Sequence, residues 1–229
     1  MPELTYVVDP AHCTPLCTCG NPHPTPEVRL YSGADAFIVL ARDCRRLQED
    51  GPVLVIDDEN THKAAGKDVV GALADASVSY KPLTLEGDIE MTDALADSVQ
   101  STAAGYPLIL AVGAGTINDL GKYVATRLGI PYWAVPTAPS MNGYTSSIAA
   151  IKIRGVKRTL PATPPRRIYA DPRVIQNSPL KLRQSGFCDV LAKSVSDTDW
   201  RTESALFSGS YCDLPSGIVA ESEDRYLHS

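Results

Sequence analysis

The sequence predicts an α/β protein in which parallel strands alternate with helices. Between residues 28 and 136, short apolar runs of strand length alternate with longer segments of helical periodicity. One of the predicted strands is joined to the next helix by a glycine turn at residues 113–115. The chain has 229 residues, of which 44% are hydrophobic, so it can bury a core between a sheet and its helices. These observations favour a Rossmann-like parallel sheet built with right-handed crossovers.

The individual elements follow from the local residue patterns. Residues 52–58 (PVLVIDD) are a continuous run of mainly branched apolar residues, which is typical of a strand buried on both faces. The other segments with strand-like character are 28–33, 77–83, 107–112 and 130–136. The segments with helical periodicity are 34–50, 59–76, 91–103 and 117–129, the last of which ends at a typical C-terminal glycine.

The regular alternation stops after the last of these strands, which divides the chain into two predicted regions. Residues 1–180 are expected to form an α/β domain, in which residues 1–26 are irregular. Later in this domain, 148–153 and 166–170 are short strand-like runs separated by prolines. Residues 181–229 have a helical pattern, so we expect them to begin an all-helical second domain.

Charge and composition exclude several classes of partner. The net charge is -6 and there is no basic stretch interleaved with aromatic residues, so nucleic acid is not an expected partner. No apolar run approaches the length of about 18 residues that a membrane-spanning helix needs. The first residues carry no signal-peptide pattern. We therefore expect a cytoplasmic protein without a membrane partner, and a homo-oligomer is compatible with the sequence.

Cysteine and histidine residues cluster near the start of the chain. The members of this cluster are His12, Cys13, Cys17, Cys19 and His23. Zinc uses these ligand types, but their spacing matches no common zinc motif such as C-x2-C. A loop with free thiols is the competing interpretation, because cysteines in a cytoplasmic chain are normally reduced.

The glycine turn has the composition of a phosphate-binding turn. Gly113 and Gly115 lie between a strand and a helix, where a backbone without Cβ atoms can approach a phosphate closely. The helix N-terminus offers free N–H groups, and Thr116 and Asn118 add side-chain donors. The turn lacks the full G-x-G-x-x-G pattern, so tight packing of strand against helix stays a second explanation for its glycines.

Two other segments follow predicted strands at the same edge of the sheet. Asp57 and Asp58 end one strand, and a carboxylate there either accepts hydrogen bonds from a ribose or caps the following helix. The polar loop 137–143 follows the strand after the glycine turn. Since ligands of parallel sheets bind at the carboxyl ends of the strands, this loop either lines the same crevice or is an ordinary connection.

Asp189 interrupts an otherwise apolar helical segment, residues 186–191. An unpaired carboxylate is costly to bury, so this side chain needs a partner. From spacing alone, the partner is either Lys193, one helical turn further on, or a metal ion.

Four segments together resemble the sn-glycerol-1-phosphate dehydrogenases of the bacterial type, in the group of iron-type alcohol dehydrogenases and dehydroquinate synthases. The segments are DENT (58–61), VGAGTINDLGKY (112–123), PTAPSMNGYTSS (136–147) and GFCDVLAK (186–193). The resemblance runs from about residue 17 to about residue 213. It implies an NAD(P)-dependent, metal-assisted oxidoreductase that interconverts sn-glycerol 1-phosphate and dihydroxyacetone phosphate in glycerophospholipid metabolism.

The resemblance also implies roles for single residues. Asp58 would bind the cofactor ribose, Asn142 would lie at the substrate, and Asp189 would be the catalytic aspartate that binds the metal and touches the substrate. The implied dinucleotide contacts are Gly115, Thr116, Ile117, Asn118, Asp119, Thr137, Ala138, Pro139, Ser140 and Ser146. The implied metal is one divalent ion, zinc or nickel, which polarises the carbonyl that accepts hydride from NAD(P)H.

Two features depart from the family pattern. Asn142 stands where the family usually has aspartate, so the loss of charge can alter substrate binding. The family completes its metal site with two histidines on later helices, and no histidine of this chain stands in a matching context. The histidines are His12, His23, His62 and His228.

These departures lead us to expect a truncated chain that is inactive by itself and exposes apolar surface. Three other functions stay open. They are a polyol or alcohol dehydrogenase of the same group, a non-catalytic nucleotide-binding module, and a lyase of the dehydroquinate-synthase type.

Overall fold

The computed structural model of the chain describes residues 4–7, 19, 27–46, 51–207 and 209–227. The predicted Cys/His cluster, apart from Cys19, lies outside these residues. Within the segment predicted to be irregular, Leu4–Val7 forms a strand (β1) that pairs antiparallel with Arg29–Ser32 (β2). Four residues are too few to show a periodic pattern, so this strand is defined by its pairing partner and not by its own sequence.

A seven-stranded sheet lies at the centre of the described part of the chain. The further strands are Val53–Asp58 (β3), Tyr80–Leu85 (β4), Ile109–Gly113 (β5), Tyr132–Pro136 (β6), Ile148–Ile153 (β7), Val156–Pro161 (β8) and Arg167–Ala170 (β9). The strand order in the sheet is β1-β2-β9-β6-β5-β3-β4, and all neighbours from β2 to β4 are parallel. The predicted α/β fold with a Rossmann-like parallel sheet is confirmed, and six of the strands form its parallel part.

The helices connect these strands in the predicted order. In the first region they are Ala36–Arg45 (α1), Glu59–Thr61 (α2), Lys67–Asp75 (α3), Asp93–Ala103 (α4), Gly115–Leu128 (α5) and Pro172–Gln176 (α6). A π-helical segment, His62–Gly66, joins α2 to α3. Thr92 caps α4 through a hydrogen bond from the Leu95 N–H, and α5 ends at Gly129, whose φ of 67° is left-handed. The helix predicted over 59–76 is thus one helical stretch interrupted by a π-turn.

The core consists of two apolar layers, one on each face of the sheet. Because strand side chains alternate, Val55 packs with α1 and α3 on one face, and its neighbour Ile56 packs with α4 and α5 on the other. Leu40 and Val124 are fully buried examples from the two helix layers. This double coverage explains why β3, β5 and β6 are apolar along nearly their whole length.

The segment after β6 contains an element that the sequence did not predict. β7 and β8 pair antiparallel as a two-stranded hairpin outside the main sheet. Arg154 and Gly155, at its turn, have φ values of 48° and 81°. Two consecutive left-handed residues are typical of the tight turn whose twist matches antiparallel strands. The sequence did not predict the hairpin because β8 is polar, and most of its residues are exposed.

Two long helices follow, Leu180–Phe207 (α7) and Asp213–Leu227 (α8). They pack against each other near residue 200, where the Trp200 and Tyr211 rings lie 4.7 Å apart. Gly186 is buried, whereas Phe187, Val195 and Phe207 of α7 are exposed. No helix in the described ranges is both long enough and apolar enough to span a membrane.

Candidate functional site

The carboxyl ends of the central strands frame a cavity of about 850 Å³. Its walls come from α2 and the π-helical segment, from Ala114 after β5, from Thr137 and Ala138 after β6, and from residues 171–182. These are neighbouring strands of one parallel sheet, so their ends meet at one edge. The sequence segments predicted to line a common crevice therefore do lie together.

The two glycines of the turn differ in what surrounds them. A Cβ on Gly113 would lie 2.5 Å from Cβ of Ile117, so packing alone requires glycine there. A Cβ on Gly115 would have only Met141 Sδ nearby, at 3.4 Å, which is ordinary contact. Packing thus explains Gly113 but not Gly115, which lines a cavity where a ligand can approach the backbone closely.

Helix α5 begins at Gly115, and the first N–H groups of a helix have no partner within it. Thr116 is exposed, whereas Ile117 and Asn118 are buried. The Asn118 N–H donates to the Ala114 carbonyl, and its buried side-chain Oδ1 has no hydrogen-bond partner. Of the predicted cofactor contacts in this helix, Gly115 and Thr116 are therefore the accessible ones, and Asp119 is partly exposed.

Asp58 caps helix α2 in a reciprocal arrangement. Its Oδ1 accepts hydrogen bonds from the N–H groups of Asn60 and Thr61, both at 2.8 Å, and its own N–H donates to Thr61 Oγ1 at 2.9 Å. The capping interpretation of this residue is correct. These hydrogen bonds use Oδ1 alone, so the half-buried carboxylate keeps a second oxygen for a ribose hydroxyl.

Asp57, one residue earlier, is almost completely buried and bonded to a histidine. Its Oδ2 lies 2.7 Å from Nδ1 of His62, while its Oδ1 has no partner. A Cβ on Gly66 would lie 2.2 Å from Asp57 Oδ2, so the π-helical segment needs glycine there. Asp57 therefore holds the π-helical segment that lines the cavity. This role differs from both sequence-based interpretations, a ribose ligand and a helix cap.

The loop after β6 is held by main-chain and tyrosine hydrogen bonds. The Thr137 N–H donates to the Gly113 carbonyl at 3.3 Å, and the Tyr144 hydroxyl donates to the Ala138 carbonyl at 2.8 Å. Burial raises the pKa of Tyr144 far above its ordinary range, so it remains a donor. Pro139 and Ser140 are half-buried at the junction with α7.

Lys122 anchors the next part of this loop and was not among the predicted site residues. Its Nζ donates to the Gly143 carbonyl, to Ser146 Oγ and to the Ile148 carbonyl. Burial lowers the pKa of Lys122, and the nearby charge of Asp119 opposes that shift. No sequence signal singled out Lys122, because the same helix also carries the polar residues Asn118, Asp119 and Arg127.

Asp189 and Asn142 lie in direct contact. Asp189 Oδ2 accepts a hydrogen bond from the Asn142 N–H at 2.8 Å, and Asp189 is half-buried. The described part of the chain contains no ion pair between Asp189 and Lys193, so the ion-pair interpretation is wrong. Close packing makes the contact possible, because a Cβ on Gly186 would lie 1.6 Å from the Pro139 carbonyl oxygen.

The chemistry of the donor set decides whether a metal fits here. Within the described ranges, no three His, Cys, Asp or Glu side chains are grouped so that they could hold a metal ion. Asp189 supplies a single carboxylate. His62 is the histidine of the described ranges, and its side chain is hydrogen-bonded to Asp57. The residues around Asp189 therefore do not by themselves make a metal site.

A second cavity of about 450 Å³ lies on the other side of the glycine turn. It is lined by Gly115, Thr116 and Asp119 from α5, and by the β7–β8 hairpin. Lys152 in this wall is paired with Glu90 at 2.8 Å. The N-terminus of α5 thus stands between two cavities, one on each side.

Comparison with known proteins identifies the family. Residues 32–179 match the family model described as "Iron-containing alcohol dehydrogenase".

The chain belongs to this family.

The curated relatives are glycerol-1-phosphate dehydrogenases [NAD(P)+] by name. The chain is 32% identical over 213 residues to that of Geobacillus stearothermophilus, covering 90% of this chain and 52% of the relative. It is 35% identical over 218 residues to that of Bacillus licheniformis, covering 92% and 54%. The chain therefore spans about half the length of the curated relatives it matches.

Solved structures of other proteins share the fold. The glycerol dehydrogenase of Schizosaccharomyces pombe superimposes with a TM-score of 0.62 at 23% identity, covering 75% of this chain and 43% of its own. The maleylacetate reductase of Agrobacterium tumefaciens gives a TM-score of 0.65 at 18% identity, with 76% and 49% covered. At these identities the likeness supports the fold and not the substrate.

Proposed function

We propose that the chain carries the dinucleotide-binding part of an NAD(P)-dependent oxidoreductase that interconverts sn-glycerol 1-phosphate and dihydroxyacetone phosphate. The observation that carries the proposal is Gly115, a glycine that packing does not require, at the start of a helix between two cavities. Close backbone approach at a helix N-terminus is what a pyrophosphate needs. The names of the curated relatives support the choice of substrate.

The two cavities fit the two halves of a dinucleotide. Asp58 ends β3, which pairs with the strand that leads into the glycine turn, and the family resemblance implies that it binds the adenosine ribose. The adenosine half would then occupy the cavity beside α2 and Thr137. The nicotinamide half would then cross Gly115 into the cavity beside the β7–β8 hairpin. When bound, the nicotinamide supplies or accepts the hydride, and the protein orients it.

Asn142 and Asp189 are the residues we assign to the substrate. They lie together where α7 meets the loop after β6, next to a cavity of about 350 Å³ lined by Arg183 and Phe187. Arg183 is a cation suited to a phosphoryl group. The amide of Asn142 in place of a carboxylate keeps a second substrate class open, a neutral polyol or alcohol.

The 229-residue chain should bind the cofactor without turning over. One carboxylate cannot hold a catalytic metal, which normally has three protein ligands and an open position. We therefore propose that activity requires metal ligands beyond the described residues, and zinc or nickel remains the metal implied by the sequence resemblance. A nucleotide-binding module without catalysis is the second candidate function, and it is favoured because the metal-binding side chains of the described residues are not grouped.

The test is a titration of the purified chain with NADH and NADPH by calorimetry, with thermal unfolding recorded on the same sample. Saturable binding to a cooperatively unfolding chain supports the dinucleotide site. A cooperatively folded chain that binds neither nucleotide contradicts it. Dihydroxyacetone phosphate reduction is then assayed with zinc or nickel added, and turnover by the chain alone would contradict the proposed lack of activity.

The cytoplasmic location and a homo-oligomeric state stay predictions. Size-exclusion chromatography with light scattering measures the second of these directly.

A further inference from the structure

Lys122 is a cation enclosed in the protein two helical turns after the glycine turn. Its side chain is 0% exposed. Its Nζ lies 3.0 Å from the Gly143 carbonyl, 2.9 Å from Ser146 Oγ and 3.0 Å from the Ile148 carbonyl. A lysine ammonium has three N–H donors, so all three can be directed at one segment, residues 143–148.

Asp119, one turn earlier on the same helix, holds the adjoining residues. Its Oδ2 accepts a hydrogen bond from the Ala150 N–H at 3.1 Å, and its Oδ1 lies 3.5 Å from Lys122 Nζ. Two side chains of α5 therefore bind residues 143–150 from end to end. These hydrogen bonds are charge-assisted, and such bonds are roughly twice as strong as neutral ones.

The anchored segment lies next to the cavity that we assign to the nicotinamide half. Ala150, the last residue of the segment, lines that cavity together with Gly115, Thr116 and Asp119. Lys122 lines neither this cavity nor the larger one. It can act on a ligand only through the segment that it holds, and α5 is the rigid element that carries both the segment's anchor and the glycine turn.

We infer that Lys122 is a positioning residue, which sets residues 143–150 at a fixed distance from the glycine turn so that they receive the nicotinamide half of the dinucleotide. The inference rests on the proposed cofactor site. It assigns no direct ligand contact to Lys122. The adenosine half depends on Asp58 and Thr137, to which Lys122 is not bonded, so the two halves should respond differently to its loss.

The test compares NADH with ADP, which lacks the nicotinamide half, on the full 229-residue chain and three variants. Lys122→Met keeps the approximate length and removes the three donors. Lys122→Gln keeps two donors without the charge. Arg127→Met is the matched control, a cation on the same helix whose ion pair with Asp97 lies at the surface. Calorimetry gives both dissociation constants, and thermal unfolding gives the folded fraction.

In Lys122→Met we expect the dissociation constant for NADH to rise by about tenfold or more, which corresponds to about 1.4 kcal/mol. The dissociation constant of the same variant for ADP should change by less than about twofold. The NADH dissociation constant of Lys122→Gln should lie between those of wild type and Lys122→Met, and that of Arg127→Met should match wild type. Equal losses for NADH and ADP would overturn the inference, as would unchanged NADH binding. If neither Lys122 variant folds, the residue is structural and the inference is also overturned. A wild-type chain that binds ADP and NADH equally refutes the nicotinamide cavity, whereas one that binds neither refutes the proposed function itself.

Discussion

Replacing the two glycines of the turn one at a time separates packing from ligand binding. In Gly113→Ala the new Cβ would lie 2.5 Å from Cβ of Ile117, well inside contact distance. Overpacking of this kind costs about 1–3 kcal/mol. For a domain of this size each kcal/mol lowers Tm by about 2–4 °C, so we expect a fall of about 2–12 °C.

Gly115→Ala should have the opposite profile. Its Cβ would meet only Met141 Sδ at 3.4 Å, so the free energy of unfolding should stay within about 0.5 kcal/mol of wild type. The methyl group would occupy the space that a phosphate oxygen needs to reach the N–H donors at about 2.7–3.2 Å. The dissociation constant for NADH should therefore rise at least about tenfold.

Thermal unfolding by circular dichroism and NADH titration by calorimetry measure the two quantities on the same preparations. The reasoning is refuted for Gly115 if the alanine variant binds NADH as wild type does. It is refuted for Gly113 if that variant unfolds at the wild-type temperature. A Gly115 variant that loses stability as well as binding would mean that packing explains both glycines.

Three further changes test other parts of the structure. Gly186→Ala would place a Cβ 1.6 Å from the Pro139 carbonyl oxygen, so α7 must move away from the loop. The free energy of unfolding, measured with urea, should fall by about 1–3 kcal/mol. Wild-type stability would contradict this packing. Burial raises the pKa of Asp171, but the hydrogen bonds from Arg173 prevail and hold it below its usual value. The ionised carboxylate therefore stabilises the fold above the unfolded-state pKa of about 3.9, and this contribution is lost as the pH falls further. In Asp171→Asn the free energy of unfolding, measured with urea, should decline less steeply at acid pH than in wild type. The same slope in both proteins would argue against this role of Asp171. Phe207 is 76% exposed, so we expect the chain to self-associate as its concentration rises. Light scattering should show a mass that increases with concentration, and Phe207→Ser should reduce this increase. A wild-type chain that is monomeric at all concentrations would contradict the expectation.

The parallel sheet could be predicted from the sequence because its strands are buried on both faces. Val53–Asp58 and Tyr132–Pro136 are apolar nearly throughout, and that pattern needs no partner to be recognised. The hairpin strand Val156–Pro161 lacks such a pattern, since its residues are mostly exposed and its pairing with Ile148–Ile153 defines it. The strand Leu4–Val7 was missed because four residues are too few to show a periodic pattern, so its pairing with Arg29–Ser32 defines it.

The candidate site could be predicted in its parts but not in its connections. The glycine turn, Asp58 and the loop after β6 all follow strands, so parallel topology was enough to bring them to one edge. The contact between Asp189 and Asn142 joins residues 47 apart in the chain, and it depends on how closely α7 approaches the loop. The hydrogen bond between Asp57 and His62 likewise depends on a π-turn that periodicity does not reveal.

The sequence by itself determined the alternation of strands and helices between residues 28 and 136, the family resemblance and the edge of the sheet where a ligand would bind. These properties depend on local periodicity and on short motifs, which can be recognised in the sequence without knowledge of the fold. Only the tertiary structure decided that packing requires Gly113 but not Gly115, and that Lys122 holds residues 143–148. Both facts concern distances between atoms on different elements, and such distances are set by the packing of helices on the sheet and not by spacing along the chain.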